Sequence, residues 1–378
     1  MTQALSRPAL GRRPLLTLLA AGLATGTARA ARAAEPAVLR AAPAPGLYEL
    51  AYSPRQDALF VASAGGFGDG ALPSRVLRLD PQTLAVQAEI ALPLKGFGVA
   101  LDEVAGRLYV GHSLDAAVTA IDIATNQVIG TAKLAAKVRG ADGKESAPYS
   151  LRQLQLDASG QRLYAPGLGM QDSVLYAVDT GAMRLDKAIT GIGPGATGIA
   201  LDAAGGRIFV STLLGRLVTV DLARQAVVRD VAAGGLEQPL NLAFDAAANR
   251  LLSVDQGMES MPGFQAKMQP GYTSTTPGHR LAALNPDDGS LLRQGPTGKG
   301  PVSLRLDAGR GRVYVTDREA GSVSVLEAAG LTVVATVPLG AHPNSMALDE
   351  RRNALFVTVK NTREAGRSAA ESVVRIAF

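Results

Sequence analysis

Leu101-Asp102-Glu103-Val104-Ala105-Gly106-Arg107-Leu108-Tyr109-Val110 spells out a β-hairpin. One strand ends on an apolar residue and Asp, a short turn carries Gly and polar residues, and a second strand starts with large apolar side chains. The same pattern returns as LDAAGGRIFV at residues 201–210 and LDAGRGRVYV at residues 306–315. Reduced to its landmarks, it is an Asp followed seven residues later by an aromatic residue or Leu. The pairs are Asp102 and Tyr109, Asp157 and Tyr164, Asp202 and Phe209, Asp245 and Leu252, Asp307 and Tyr314, and Asp349 and Phe356, with Ser53 and Phe60 as a seventh copy. Self-similarity at a fixed internal spacing marks a repeat architecture.

A second half follows each hairpin at variable distance, an alternating strand that ends in an acid or amide before another turn and strand: Val76–Asp80, Val118–Asp122, Leu175–Asp179, Leu217–Asp221, Leu281–Asn285 and Val323–Glu327. Each copy therefore predicts four short strands. About 344 residues follow position 34, roughly 49 per copy, which is the size of a propeller blade. A lone four-stranded sheet leaves both faces wet, so the copies must pack around an axis. The expected fold is all-β, a seven-bladed β-propeller of four-stranded antiparallel blades, filling residues 35–378 as a single domain. The last copy offers only three strands, so Ala37-Val38-Leu39-Arg40-Ala41 is expected to pair with Val373–Ile376 and close the ring. A monomer is expected.

Residues 1–34 read differently. Arg7, Arg12 and Arg13 precede an apolar run from Leu15 to Thr25, and Ala28-Arg29-Ala30 offers a cleavage site. This is the pattern of a secretory signal peptide, too short for a stable membrane span, and Arg12-Arg13 is similar to the twin-arginine export motif. The expected location is periplasmic or secreted, and no later apolar stretch predicts an integral membrane protein. The whole chain has 38 Lys and Arg against 33 Asp and Glu. Five of the basic residues and none of the acids lie within residues 1–34, so the remainder is close to neutral and its charge is no sign of nucleic-acid binding. With no Cys and no Trp, disulfides, thiolate metal sites and cysteine nucleophiles are excluded.

Val315-Thr316-Asp317, Phe356-Val357-Thr358-Val359 and Tyr109-Val110-Gly111-His112 resemble the YVTN repeat of bacterial propellers. Gly46–Ser53, Ala117–Asp122, His342-Pro343-Asn344-Ser345 and Val374–Phe378 are similar to stretches of the periplasmic YncE-like family, and the resemblance runs from about residue 36 to the end. It implies a secreted seven-bladed propeller without an established enzymatic activity, for which nucleic-acid binding has been suggested. A long insertion in the fifth repeat, at about residues 256–280, departs from the family pattern.

Strand parity sends four irregular loops to one mouth of the channel: Ala64–Ser74, Ala136–Tyr149, Gln256–His279 and Lys360–Ser372. Binding loops are usually the irregular ones. Aligning the copies on their landmark places Tyr48, Glu49, Phe97, Arg152, Gln153, Asn241, Ser303 and Asn344 where the innermost strands enter the channel. Two positions before the landmark, Ala gives way to Gln155 and Arg305. A large cation in such a place needs a partner or water, so Arg305 reads as a ligand residue or as the partner of Asp317. Asp317, Arg318 and His342 complete the candidate mouth. Nucleic acid is one candidate partner there, a peptide or protein another. Basic Lys95, Lys137, Arg139, Lys144, Lys299, Lys360, Arg363 and Arg367 favour the first, Asp69, Asp142, Glu145, Glu259, Glu319 and Glu364 oppose it, and Tyr48 and Phe97 are available for stacking.

Catalytic signals are thin. The three His occupy different repeats, Glu49 is the only acid in the channel column, and no G-x-S-x-G elbow is present. A non-enzymatic binding or scaffold propeller is the expected function, with a lactonase-like hydrolase acting in the channel as the alternative. The insertion carries Met258, Met261 and Met268 with His279 at its end, a soft donor set suited to cuprous copper. Equally, the three Met would serve as flexible apolar filler. A turn at Pro262-Gly263 is expected to gather the sulfurs without regular secondary structure.

Overall fold

Each landmark aromatic drives into the seam between its own sheet and the next, and this explains the fixed spacing in the repeat. Phe60 packs with Val99, Leu108 and Ile121, and Tyr109 with Leu151, Leu163 and Val178. Tyr164, Phe209, Leu252, Tyr314 and Phe356 do the same in turn, the last against Leu47, Leu59 and Leu77 of the first blade. All seven side chains are at most 2% exposed. The core is thus seven separate seams, and each aromatic buried in one contributes about 1.5–3 kcal/mol.

The computed structural model describes residues 35–378 apart from 69, 141, 142 and 367. The signal-peptide reading of residues 1–34 lies outside the described residues, as do Asp69, Asp142 and Arg367. Residues 36–378 form one unit, a seven-bladed propeller of four-stranded antiparallel sheets. The first strands of the blades line the channel: Leu47–Ser53, Val99–Asp102, a broken strand at Ser150–Leu151 and Gln155–Leu156, Ala196–Asp202, Pro239–Asp245, Pro301–Asp307 and His342–Asp349. Adjacent inner strands touch, including the first against the last. The ring closes as expected. Ala37–Ala44 pairs antiparallel with Glu371–Ala377, Ala37 opposite Ala377 and Ala41 opposite Val373, as the outermost strand of the seventh blade.

The acids that punctuate the repeat hold its turns. Landmark Asp102, Asp202 and Asp307 accept the backbone N–H of Ala105, Gly205 and Arg310. Asp80, Asp122 and Asp179 do the same for the turn after the third strand, a local competitor to strand continuation. Four residues beyond these acids the chain is left-handed, at Leu84, Asn126 and Met183.

Five inner strands slip register just before their channel-facing residues: between Leu47 and Leu50, Ala196 and Ile199, Pro239 and Leu242, Pro301 and Ser303, and Pro343 and Met346. A bulge re-aims side chains and frees backbone groups. Here it turns the entering residues into the channel.

The insertion corrects one expectation. Met261–Met268 is an α-helix with Pro262 in its first turn, where the ring costs no hydrogen bond. Its hold on the ring is Gln265, fully buried, whose Nε2 donates to Leu213 O and Glu237 O, both at 2.6 Å. The loop after the second blade is also partly regular, pairing Val138–Arg139 with Glu145–Ser146.

Candidate functional site

Three of the four irregular loops border a common cavity, and the loop at 136–149 does not line it. Gly66 and Phe67, Met258 and Ser260, Arg318 and Glu319, and Lys360 to Arg363 surround a cavity of about 990 Å³, with Tyr48 and His342 on its wall. A second chamber of about 390 Å³ lies beside it under the insertion helix, lined by Arg152, Arg318, Asn344, Met258, Met261 and Phe264 among others. Met258 and Arg318 border both. A third cavity of about 660 Å³ is the channel proper, with Glu49, Gln153, Gln155, Ser303, Arg305 and Glu350 on its wall.

The aromatic side of the mouth is already satisfied. Tyr48 and Phe97 meet edge to face at 4.6 Å, and Phe67 stacks on Phe97 at 6.3 Å. The Lys360 ammonium sits 3.9 Å from the Tyr48 ring centre and that of Lys95 5.1 Å from the Phe67 ring centre. Lys360 also pairs with Glu371 at 2.7 Å and donates to Leu47 O at 2.8 Å, while Glu371 accepts the Leu47 N–H. Lys95 is spent on the carbonyls of Ala64 and Gly66. These two cations therefore brace loops.

The guanidinium groups are different. Among the described residues, Arg152 makes no side-chain hydrogen bond or ion pair. Arg318 donates only to Asn344 Oδ1, at 3.1 Å, and Arg305 only to Met346 O, at 3.0 Å. Protein atoms surround the Arg152 and Arg305 heads, and this burial lowers their pKa, although channel water still reaches the side chains. Arg152 stands at the break in the third inner strand, and its carbonyl approaches Gly98 so closely that a Cβ there would lie 2.7 Å from it. Arg305 does not pair with Asp317, which corrects that reading. Asp317 is buried behind the sixth blade, where it accepts the hydroxyls of Ser322 and Ser324, and burial raises its carboxyl to about 6.

Glu49 faces Arg152 and Arg305 without touching either. One oxygen accepts the Val99 N–H at 2.9 Å. Burial raises its carboxyl to about 7 against the pull of that N–H and the two cations. Folded protein keeps a proton at Glu49 up to about pH 7 that the unfolded chain loses near 4.5, so this residue's stabilisation is fully present below about 4.5 and is gone once pH has risen through 7. The melting temperature of Glu49→Gln, measured from pH 4 to 8.5, is expected to lack the part of the wild-type decline that runs between about pH 4.5 and 7 and levels off above it; parallel profiles would refute the assignment.

The remaining candidates divide. Asn241 Nδ2 reaches Ser303 Oγ at 3.3 Å and ties two inner strands. Gln155 donates to the carbonyl of neighbouring Leu156, and Gln153 leaves a buried Oε1 without a partner among the described residues. His342 donates from Nδ1 to Arg318 O at 3.0 Å, and Asn344 orients Arg318. Of the proposed sulfur ligands, Met258 and Met261 share the small chamber. Met268 packs underneath the helix against Gly195, where an added Cβ would lie 2.9 Å from its sulfur. His279 Nδ1 sits between Gln256 O at 2.8 Å and the Gly300 N–H at 3.2 Å. The structure thus brings two of the three sulfurs together and keeps the third and the imidazole on other contacts. Phe67, Phe264, Glu237 and Glu371 were missed from sequence. Only Phe67 left a signal, as the single aromatic in a Gly-rich loop.

No family model matches the chain. It is 31% identical over 348 residues to the uncharacterized protein YncE of Salmonella typhi, covering 90% of this chain and 91% of that protein. YncE of Escherichia coli K12, also uncharacterized, is 30% identical over the same span. The chain belongs to the YncE family. Among solved structures, Kuenenia stuttgartiensis hydrazine synthase aligns with a TM-score of 0.63 over 89% of this chain and 96% of that one, at 17% identity, a likeness of fold alone. Membership in the YncE family fits the seven blades and their closure. No helix among the described residues of this YncE relative is long and apolar enough to cross a membrane.

Proposed function

We propose that the protein is a non-enzymatic binding propeller that captures an anionic ligand at the mouth bearing the irregular loops, working outside the cytoplasm as a monomer. The observation that carries this reading is the set of three guanidinium groups, Arg152, Arg318 and Arg305, on the walls of the mouth, the chamber beside it and the channel, none of them paired with a carboxylate among the described residues. Water in these cavities reaches Arg152 and Arg305, and cations lining a concave wall focus a positive field on it. A bound oxyanion would pair with them, and the planar Arg fork suits carboxylate or phosphate. The strands supply a rigid frame, and the only enclosed acid in the channel column, Glu49, is half-neutral at pH 7. A single strand of nucleic acid is the polyanion suggested by the family resemblance. Its bases would have to displace Lys360 and Lys95 from the rings they cover, so the deep guanidinium pair favours a compact anion or a chain end.

Titration calorimetry of residues 35–378 with pyrophosphate and with citrate at low salt tests this. At least one is expected to bind saturably, and Arg152→Met and Arg318→Met are each expected to weaken it about tenfold or more, since a charge-assisted hydrogen bond contributes about 1.5–3 kcal/mol. Binding that the two variants leave unchanged, or no binding of either anion, would overturn the reading. A twelve-residue oligothymidylate in the same titration, bound more tightly than pyrophosphate and with a steep salt dependence, would move the ligand to nucleic acid.

A further inference from the structure

The chamber beneath the insertion helix has two unlike ends. At one, Arg152 and Arg318 present guanidinium groups, the second aimed by Asn344. At the other, Met258 from the approach to the helix and Met261 and Phe264 from the helix share the wall with Leu213, Leu240 and Val302. The roof is fixed, because Gln265 is bonded to the ring on both sides and Met268 is wedged at Gly195. The volume, about 390 Å³, lies in the range of small-molecule sites. Thioether and aromatic walls adapt to varied apolar shapes.

Building on the anion reading of the mouth, we infer that this chamber is a site for a small amphipathic acid, an oxyanion head held by Arg152 and Arg318 on an apolar body lodged against Met258, Met261 and Phe264. The charge of the head is matched by two cations with no carboxylate of their own, and the body by a largely apolar wall. A bare inorganic anion leaves that apolar wall uncovered. The same arrangement would take a carboxylate, a sulfonate or a phosphate monoester, so the head group is the variable to be measured.

The test is calorimetry on residues 35–378 with acetate, butanoate, hexanoate and octanoate, with octanamide as the uncharged control and octyl sulfonate and octyl phosphate as alternative heads. Affinity is expected to rise about fourfold per added methylene until the chamber is full, following the usual gain on burying a methylene, and octanamide to bind at least tenfold more weakly than octanoate. Phe264→Gln and Met261→Gln should flatten the chain-length series while leaving pyrophosphate or citrate binding at the mouth unchanged. Arg152→Met should erase the difference between octanoate and octanamide. Thermal melting of each variant checks that the ring is intact. If inorganic anions bind and octanoate is no better than acetate, the chamber assignment falls and the mouth reading stands; if no anion of either kind binds, both fall.

Discussion

Deleting residues 35–42 is expected to lower the melting temperature by about ten degrees or more. The deletion removes most of the strand Ala37–Ala44 and its ladder with Glu371–Ala377. Val373, Val374 and Ile376 are fully buried with that strand in place, and its loss leaves the seventh sheet with a long unpaired edge. The guanidinium of Arg40, which donates to Leu339 O, goes as well, so the sixth and seventh blades lose a tie between them. Several ladder bonds at about 1 kcal/mol each, together with the apolar surface that Val373, Val374 and Ile376 expose at up to about 1.5–3 kcal/mol each, at roughly 1.5 °C per kcal/mol in a chain of this size, give the expected shift. Differential scanning calorimetry of the truncated and full domains measures it, and coincident melting curves would mean that three strands suffice to close the ring.

Glu237→Ala is expected to free the insertion without unfolding the propeller. The Glu237 carboxylate collects the side-chain and backbone donors of Ser274, Thr275 and Thr276. Burial alone would raise its carboxyl, but these bonds bring it down to about 2. A depressed carboxyl stabilises above its unfolded value near 4.5 and loses that effect only as pH falls through its folded one, so the anchor holds across the physiological range. With the carboxylate gone, those donors have no common acceptor and the returning segment of the insertion detaches. Lys267 is exposed on the helix. Trypsin should then cut there at least tenfold faster in the variant while the main melting transition moves by only a few degrees. Octanoate binding should fall with it, because the roof of the chamber is lost. A cleavage rate equal to wild type would show that Gln265 alone holds the helix.

The ring was legible because each landmark does two jobs that sequence displays. An Asp before Gly and Arg encodes its turn locally, and an aromatic seven residues later meets an identical seam in every copy. The third inner strand hides its break because Arg152 and Gln153 still fit the period. Arg305 stood out against a column of Ala, yet its acceptor is the Met346 carbonyl of the next blade, and a backbone acceptor leaves no mark in a sequence. The same is true of Gln265, whose partners Leu213 O and Glu237 O are also carbonyls. Without them Met261–Met268 reads as loop, because Pro262 and Gly263 argue against a helix and the stabilisation is tertiary. The Met258 and Met261 pair was readable as a group, and only the helix revealed that Met268 leaves it.

The closing strand also sets an order of events. Ala37 pairs with Ala377, so the first strand made must wait for the last. Closing a loop of about 340 residues costs about 3.5 kcal/mol more chain entropy than closing a six-residue hairpin, and that cost falls only as the intervening blades stack and bring the ends together. During synthesis, blades can form one after another from the amino end, each sealing a seam with its predecessor, while Ala37–Ala44 remains an orphan edge beside them. A nascent chain halted before Glu371 is then an open arc with sticky ends on both sides. Completion of the final few residues, rather than any single blade, is what converts that arc into a particle that chaperones and proteases pass over.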